Sequence, residues 1–339
     1  MSNTKSESLD SLQNLQLHVH VIGYHPEGEC ILLILYDAAK KKVSRSVLID
    51  CFIDNVREDQ LGKKMHEYGI SVNNPLDLII WTHPDSDHSL GLDKVLKTYT
   101  GDKTLIVLPE GANLITILRS GVRLAYQMML AQLKRGVKIE HVNTSNYRKN
   151  PEEYLSIQYV DGTMDSIDFS IEILTPNGSQ MVKKLEVNKW HKHNDISISM
   201  IVHCGLLDLY FGGDVENNAI KTVPTYKMAE VSFIKIPHHG SKSSTYLINV
   251  MKENITKRRN DNKEMLDITS ITTCYDKGSN PSPKIEVLNA YNQLSANLYL
   301  TDNRKPRVDQ YGICSFEYSV VSRTIVTRIE GDAGLYHQQ

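Results

Sequence analysis

The feature that most constrains this chain is a junction. The apolar run Leu76-Asp77-Leu78-Ile79-Ile80-Trp81 passes without a break into Thr82-His83-Pro84-Asp85-Ser86-Asp87-His88. Such a run reads as a buried strand, and four ligand-type side chains, His83, Asp85, Asp87 and His88, fall within six residues where it ends. A tight loop at that place turns alternate side chains toward one point, and imidazole with carboxylate is the donor mix that suits a divalent transition metal. A plain polar turn is the competing reading, and this density of ligand-type residues weighs against it.

A buried strand needs a sheet around it, and the chain supplies the pieces. Leu17 to Ile22 alternates, Ile31 to Tyr36 is continuously apolar, and Ser46 to Cys51 is rich in Val, Leu and Ile; each predicts a strand. Further strands are predicted at Phe169 to Leu174, Ile196 to His203, Asp208 to Phe211, Ser232 to Ile236, Ser270 to Cys274 and Asn297 to Thr301. A closing pair follows around Gly312 to Tyr318 and Arg323 to Ile329. Helices are predicted around Leu61 to Tyr68 and from Leu114 to Leu133, the latter from the spacing of Leu118, Leu124, Met128 and Leu133. Strands toward both ends with helices between them imply a layered α/β fold rather than a βα-repeat barrel.

Length and composition bound the function classes. At 339 residues, one elaborated domain of about 250–300 residues plus insertions fits best. Hydrophobic residues make up 40% and charged ones 23%, which excludes a wholly disordered, collagen-like or coiled-coil chain. The formal charge of −2 gives no global basic field for non-specific nucleic-acid binding. Any polyanion contact is local, and Lys235, Lys242, Lys252 and Lys257 to Arg259 are the candidates for a basic rim. The polar stretch Lys252 to Lys263 otherwise reads as a solvated helix or loop. The apolar run Ile31 to Tyr36 is far shorter than the roughly 20 residues of a membrane helix. Met1 to Asp10 lacks the apolar middle of a signal peptide. Cys30, Cys51, Cys204, Cys274 and Cys314 are scattered and odd in number, so they are expected to be reduced, buried thiols of a cytoplasmic protein.

Two later strand ends carry related chemistry. Leu209-Tyr210-Phe211-Gly212-Gly213-Asp214 closes on two glycines and an acid, by itself only a common turn. Ile236-Pro237-His238-His239-Gly240-Ser241 places paired histidines at a strand end, which is uncommon in a plain turn. No P-loop, Gly-x-Gly-x-x-Gly or His-Glu-x-x-His is present, and Ser241 lacks the elbow of a serine nucleophile.

In order and approximate spacing these elements resemble the metallo-β-lactamase superfamily, whose signature is His-x-His-x-Asp-His after a strand. Position 85 is Asp where most members have His. With Gly91-Leu92 following, that variant is similar to the branch containing the hydrolase domain of the DNA-uptake protein ComEC and the choline-binding phosphorylcholine esterases. The resemblance spans about residues 17–319, is strong at three motifs and is weak within roughly 110–190. It implies an αββα sandwich over 17–330 with an insertion at about 110–190, flanked by flexible segments 1–16 and 331–339. It also implies a metal set of His83, Asp85, Asp87, His88, Asp214 and His239, with Asp214 bridging two divalent ions, zinc or manganese. The extra carboxylate of Asp85 makes manganese a serious competitor.

By the same resemblance Asp87 also orients an activated water, and His238 contacts the substrate phosphate or assists the departing oxygen. The order of His238 and His239 stays open. The implied activity is metal-dependent hydrolysis of a phosphodiester, with nucleic acid ranked first and nucleotides second, and with no membrane partner. The alternative is a non-catalytic metal-bound binding or regulatory module of a defence or DNA-processing system.

Other stretches match partly. Asn194-Asp195-Ile196-Ser197 resembles the Asn-x-x-Ser that opens the strand before the bridging acid, and His191 and His193 beside it are candidate ligands, substrate contacts or surface histidines. Pro26-Glu27-Gly28-Glu29-Cys30 stands where relatives carry Gly-Gln-Gly-Asp and keeps only Gly28 and an acid. Asn280 stands where relatives often have a His, and Thr301-Asp302 matches a late strand-end Thr-Asp.

Overall fold

The computed structural model describes residues 5–8, 12–54, 56–112, 120–144, 153–160, 166–178, 193–264, 267–277, 279–322 and 324–337. Two sheets face each other. One runs through β2 (Leu15–Tyr24), β3 (Glu29–Asp37), β4 (Lys42–Ile49), β5 (Leu78–Ile80), β6 (Leu105–Pro109) and β7 (Lys138–Val142), with β15 (Tyr311–Ser319) and β16 (Ile325–Gly331) on the far side of β2. The other holds β1 (Lys5–Ser8), β8 (Glu153–Val160), β9 (Ser166–Ile173), β10 (Met200–Cys204), β11 (Leu207–Phe211), β12 (Val231–Lys235), β13 (Thr269–Thr272), β14 (Asn297–Leu300) and β17 (Gly334–Leu335), in the order β1-β8-β9-β10-β11-β12-β13-β14-β17.

The division of the apolar side chains shows why the layers form. Leu17, Val19, Leu33 and Ile80 from one sheet meet Ile171, Leu209, Phe211 and Phe233 from the other in a core between the sheets. The alternate residues Leu32, Ile34, Ile79 and Ile106 point outward. They are covered by α1 (Gln60–Glu67), α2 (Leu92–Thr98) and α3 (Ser120–Lys134) through Leu61, Met65, Val95, Leu96, Val122 and Met129. On the second sheet Ile201, Tyr210 and Ile234 are covered by α4 (Tyr246–Asn260) and α5 (Ile285–Asn292) through Leu247, Met251, Val287 and Leu288. The chain is therefore an αββα sandwich, and a strand such as β3 reads as a continuous apolar run because both of its faces are buried.

Three expectations change. Much of 110–190 belongs to the framework: α3 covers one sheet, β7 forms its edge, and β8 and β9 extend the other. On α3 the buried positions are Val122, Ala125, Met129 and Gln132, whereas Leu124 and Leu133 are exposed. The leucine spacing therefore marks the wrong face, and Leu114 and Leu118 lie outside the described residues. Described parts of 1–16 and 331–339 carry paired or buried residues. β1 pairs with β8, Leu12 and Leu15 bury in the inter-sheet core, and β17 pairs with β14.

Parallel pairing of β4 with β5 and of β11, β12 and β13 with one another brings their carboxyl ends to the same rim of the sandwich. Loops leaving such ends are the usual place for a site.

Candidate metal centre

At that rim the loop after β5 is fixed by Asp50, the residue just after β4. Its carboxylate accepts from the Thr82 backbone N–H at 2.7 Å and from the Thr82 hydroxyl at 2.6 Å. Asp50 also accepts from His88 Nδ1 at 2.7 Å. Because the Thr82 hydroxyl gives its only proton to Asp50, it is the acceptor for His83 Nδ1–H at 2.9 Å. Both rings thus donate from Nδ1 and turn Nε2 toward the centre.

The second sheet delivers the other groups. β11 ends in Gly212-Gly213, and Gly213 has φ +50, with an added Cβ only 2.6 Å from the Ile198 carbonyl oxygen. Only glycine makes that turn without strain, and it presents Asp214, whose backbone N–H donates to Ser197 Oγ at 2.9 Å. After β12, His238 and His239 both take left-handed backbone conformations, φ 51 and 50. Consecutive non-glycine residues in that region are strained. The turn is held by His238 N–H to the Gly213 carbonyl at 2.9 Å and Ser244 Oγ–H to the Pro237 carbonyl at 3.0 Å.

The side chains so placed converge. His239 Nε2 lies 3.1 Å from Asp87 Oδ2, 3.6 Å from Asp214 Oδ2 and 3.4 Å from His88 Nε2. His88 Nε2 lies 3.3 Å from Asp214 Oδ1. One ligand atom from each of Asp87, His88, Asp214 and His239 falls within 4.8 Å of the others, and all four residues are buried. Beside them His83 Nε2 is 3.5 Å from Asp85 Oδ2 and 3.8 Å from Asp214 Oδ2. Asp85 is also in close contact with His193 Nδ1. Of the six expected ligands, four thus converge, with His83 and Asp85 beside them.

Of the two neighbours after β12, His239 reaches inside and is 2% exposed. His238 stands at the wall, where Asn194 Nδ2–H donates to its Nε2 at 3.2 Å and its Nδ1 meets Ser243 Oγ at 2.9 Å. His191 lies outside the described residues.

Electrostatics favour a cation. Burial alone would raise Asp214, yet His239, His88 and His238 hold its pKa well below the usual carboxylate range. Burial alone would lower His88, yet Asp214, Asp87, Asp50 and Glu29 raise it well above the usual histidine value. Buried His83 Nε2 and Asp214 Oδ1 have no hydrogen-bond partner among the described residues. Two open acceptors amid converging acids and imidazoles fit a divalent ion, and the tied Nδ1 atoms are the support that metal-binding histidines ordinarily have.

A cavity of roughly 560 Å³ opens over the cluster, lined by Asp85, Asp214, His238, Lys242, Tyr275 and Asn280 among others. The expected basic rim is largely elsewhere. Lys235 is fully buried against Glu29, and Lys257 to Arg259 form the last turn of α4, with Arg258 paired to Glu230 at 2.7 Å. Lys242 lines the cavity but is paired with Glu286. Asp302 is likewise away from the cluster, bound to Arg307. Sequence reasoning missed Asp50, Thr273 and the role of Glu29. An acid within the otherwise apolar end of the predicted strand Ser46 to Cys51 was a signal for Asp50; nothing marked Thr273.

Comparison with protein-family models finds no match, and no curated protein matches. Among solved structures, the metallo-beta-lactamase fold protein YhfI from Bacillus subtilis is similar with a TM-score of 0.35 and 13% identity, over 77% of this chain and 71% of that one.

Proposed function

We propose that this protein is a metal-dependent hydrolase acting on phosphodiesters of nucleic acid or nucleotides. The observation that carries the reading is the buried convergence of Asp87, His88, Asp214 and His239 at the floor of an open cavity. Those four residues would hold one divalent ion, and His83 and Asp85 with a shared Asp214 would hold a second, zinc or manganese. Bound there, such ions supply Lewis acidity toward a water and toward phosphoryl oxygens.

The protein's own groups supply the rest. Asp87 is an acceptor fixed beside the centre and orients the attacking water. His238, at the cavity wall with Nδ1 held by Ser243, contacts the phosphate or the departing oxygen. The phosphodiester assignment is supported by the Asp85 variant and the Pro-His-His-Gly-Ser turn. Among the described residues the scarcity of unpaired lysines at the cavity favours short substrates over long polyanions.

The test is protein stripped by chelator and then given manganese or zinc in the presence of a bis-aryl phosphodiester. Turnover is expected only after metal addition and is expected to vanish in Asp87→Ala with the fold intact. Two ions bound with no turnover on any phosphodiester would reject the reading.

A further inference from the structure

Behind His239 lies a relay that crosses from one sheet to the other. Glu29 opens β3, and Gly28 before it has φ +113, with an added Cβ 2.2 Å from the Phe52 ring, so only glycine lets the turn deliver the acid here. Lys235 closes β12 in the opposite sheet. Glu29 is 1% exposed and Lys235 0%, and their Oε2 and Nζ are 2.7 Å apart. A buried ion pair of this kind is weak evidence for stability, because both charges lose hydration. Its contacts point to another use. Glu29 Oε2 also accepts from Thr273 Oγ1 at 2.5 Å, and Thr273 Oγ1 meets His239 Nδ1 at 2.8 Å.

Proton counting fixes the direction. An ionised carboxylate only accepts, so the single hydroxyl proton of Thr273 goes to Glu29. Thr273 Oγ1 must then accept from His239 Nδ1–H. The ring is left with Nε2 as its bare nitrogen, and that atom faces Asp87 and Asp214. Without a charged Glu29, the Thr273 proton turns toward Nδ1, the ring proton moves to Nε2, and Nε2 becomes a donor toward Asp87.

We propose that Glu29, held ionised by Lys235, and Thr273 are positioning residues that set the tautomer of His239 for cation binding. This rests on the metal-centre reading above, and the experiment separates the two. Metal-free protein at pH 8 is examined by imidazole 15N NMR, which reports the tautomer whether or not an ion ever binds; manganese and zinc affinities are then measured by chelator competition.

Wild type and Thr273→Ser are expected to show protonated Nδ1 and bare Nε2 at His239. Thr273→Val and the paired replacement Glu29→Leu with Lys235→Leu are expected to shift the proton toward Nε2. Both are also expected to weaken affinity about 10- to 100-fold, the usual loss when a ligand's supporting partner is removed. The paired replacement leaves no lone buried charge, so it guards against simple unfolding. An unchanged tautomer in Thr273→Val, or affinity within twofold of wild type in both variants, overturns the relay. Wild type that binds neither ion but shows the expected tautomers overturns the metal centre and leaves the relay standing.

Discussion

Two groups of buried histidines in this molecule behave in opposite ways. His18 and His20, on β2 beneath the end of α1, have every ring nitrogen matched to a neutral group. His18 meets Tyr68 OH at 2.7 Å and Gln16 Oε1 at 2.9 Å; His20 meets Ser315 Oγ at 2.8 Å and Tyr68 OH at 2.9 Å. Burial pushes the His20 pKa down to about 3. At the sandwich rim His83, His88 and His239 are equally buried, but while their Nδ1 atoms are held from behind, their Nε2 atoms face carboxylates and one another. There the pKa of His88 rises. Equal burial of His20 and His88 with opposite shifts shows that the acids facing a ring, and not its burial, set the rim apart.

The difference should be largest for metal. Asp214→Ala removes the acid shared by His83, His88 and His239, and divalent affinity measured by chelator competition is expected to fall by more than about 100-fold. His20→Gln, equally buried, is expected to leave it unchanged. Asp50→Asn probes the support behind the centre, since Asp50 receives His88 directly and His83 through Thr82. A loss of about 10- to 100-fold is expected, and an effect as small as that of His20→Gln would place Asp50 in the structural class.

A third prediction uses pH. His20 is neutral in the fold, with a pKa of about 3 against an ordinary 6.5, so between those values the unfolded chain binds one more proton than the native one. Its contribution to stability is complete above pH 6.5 and declines as pH falls toward 3, approaching about 1.4 kcal/mol per pH unit. Denaturant titrations of wild type and His20→Gln are expected to diverge in that window, with wild type losing stability faster on acidification. Parallel curves would mean that His20 is not held neutral.

Much of this was legible in the sequence, for particular reasons. Strands buried on both faces, such as Ile31 to Tyr36, announce themselves as unbroken apolar runs, and ligands packed behind such a strand stand out by density alone. The four residues that converge come from three loops, and each loop carried its own local signature. The failures were of two kinds. The exposed Leu124 and Leu133 mimic a buried stripe, because helical spacing cannot say which side meets the sheet. Lys235 read as part of a basic rim, because its partner Glu29 is more than 200 positions away and pairing across sheets leaves no local trace. Thr273 is silent for the same reason: a single hydroxyl acquires meaning only from the carboxylate and ring that the fold sets on either side of it.

The smallest expected effect is the sharpest check on the comparison, because it concerns a group that composition alone would also nominate. Atoms of His25, Asp276 and Asp302 lie within 4.8 Å of one another, as do those of the buried cluster. Here, however, the Arg307 guanidinium already lies against the acids, with Nε 2.8 Å from Asp302 Oδ1 and Nη2 2.7 Å from Asp276 Oδ2. Asp276 is about one third exposed as well. A fixed organic cation satisfies these carboxylates, so a metal ion would have to displace it while gaining little from a solvated acid. Asp276→Asn is therefore expected to leave metal stoichiometry unchanged and affinity within twofold of wild type. A lost equivalent of bound ion in this variant would mean that proximity of ligand-type atoms is enough, and that the Arg307 guanidinium does not keep a metal from these acids.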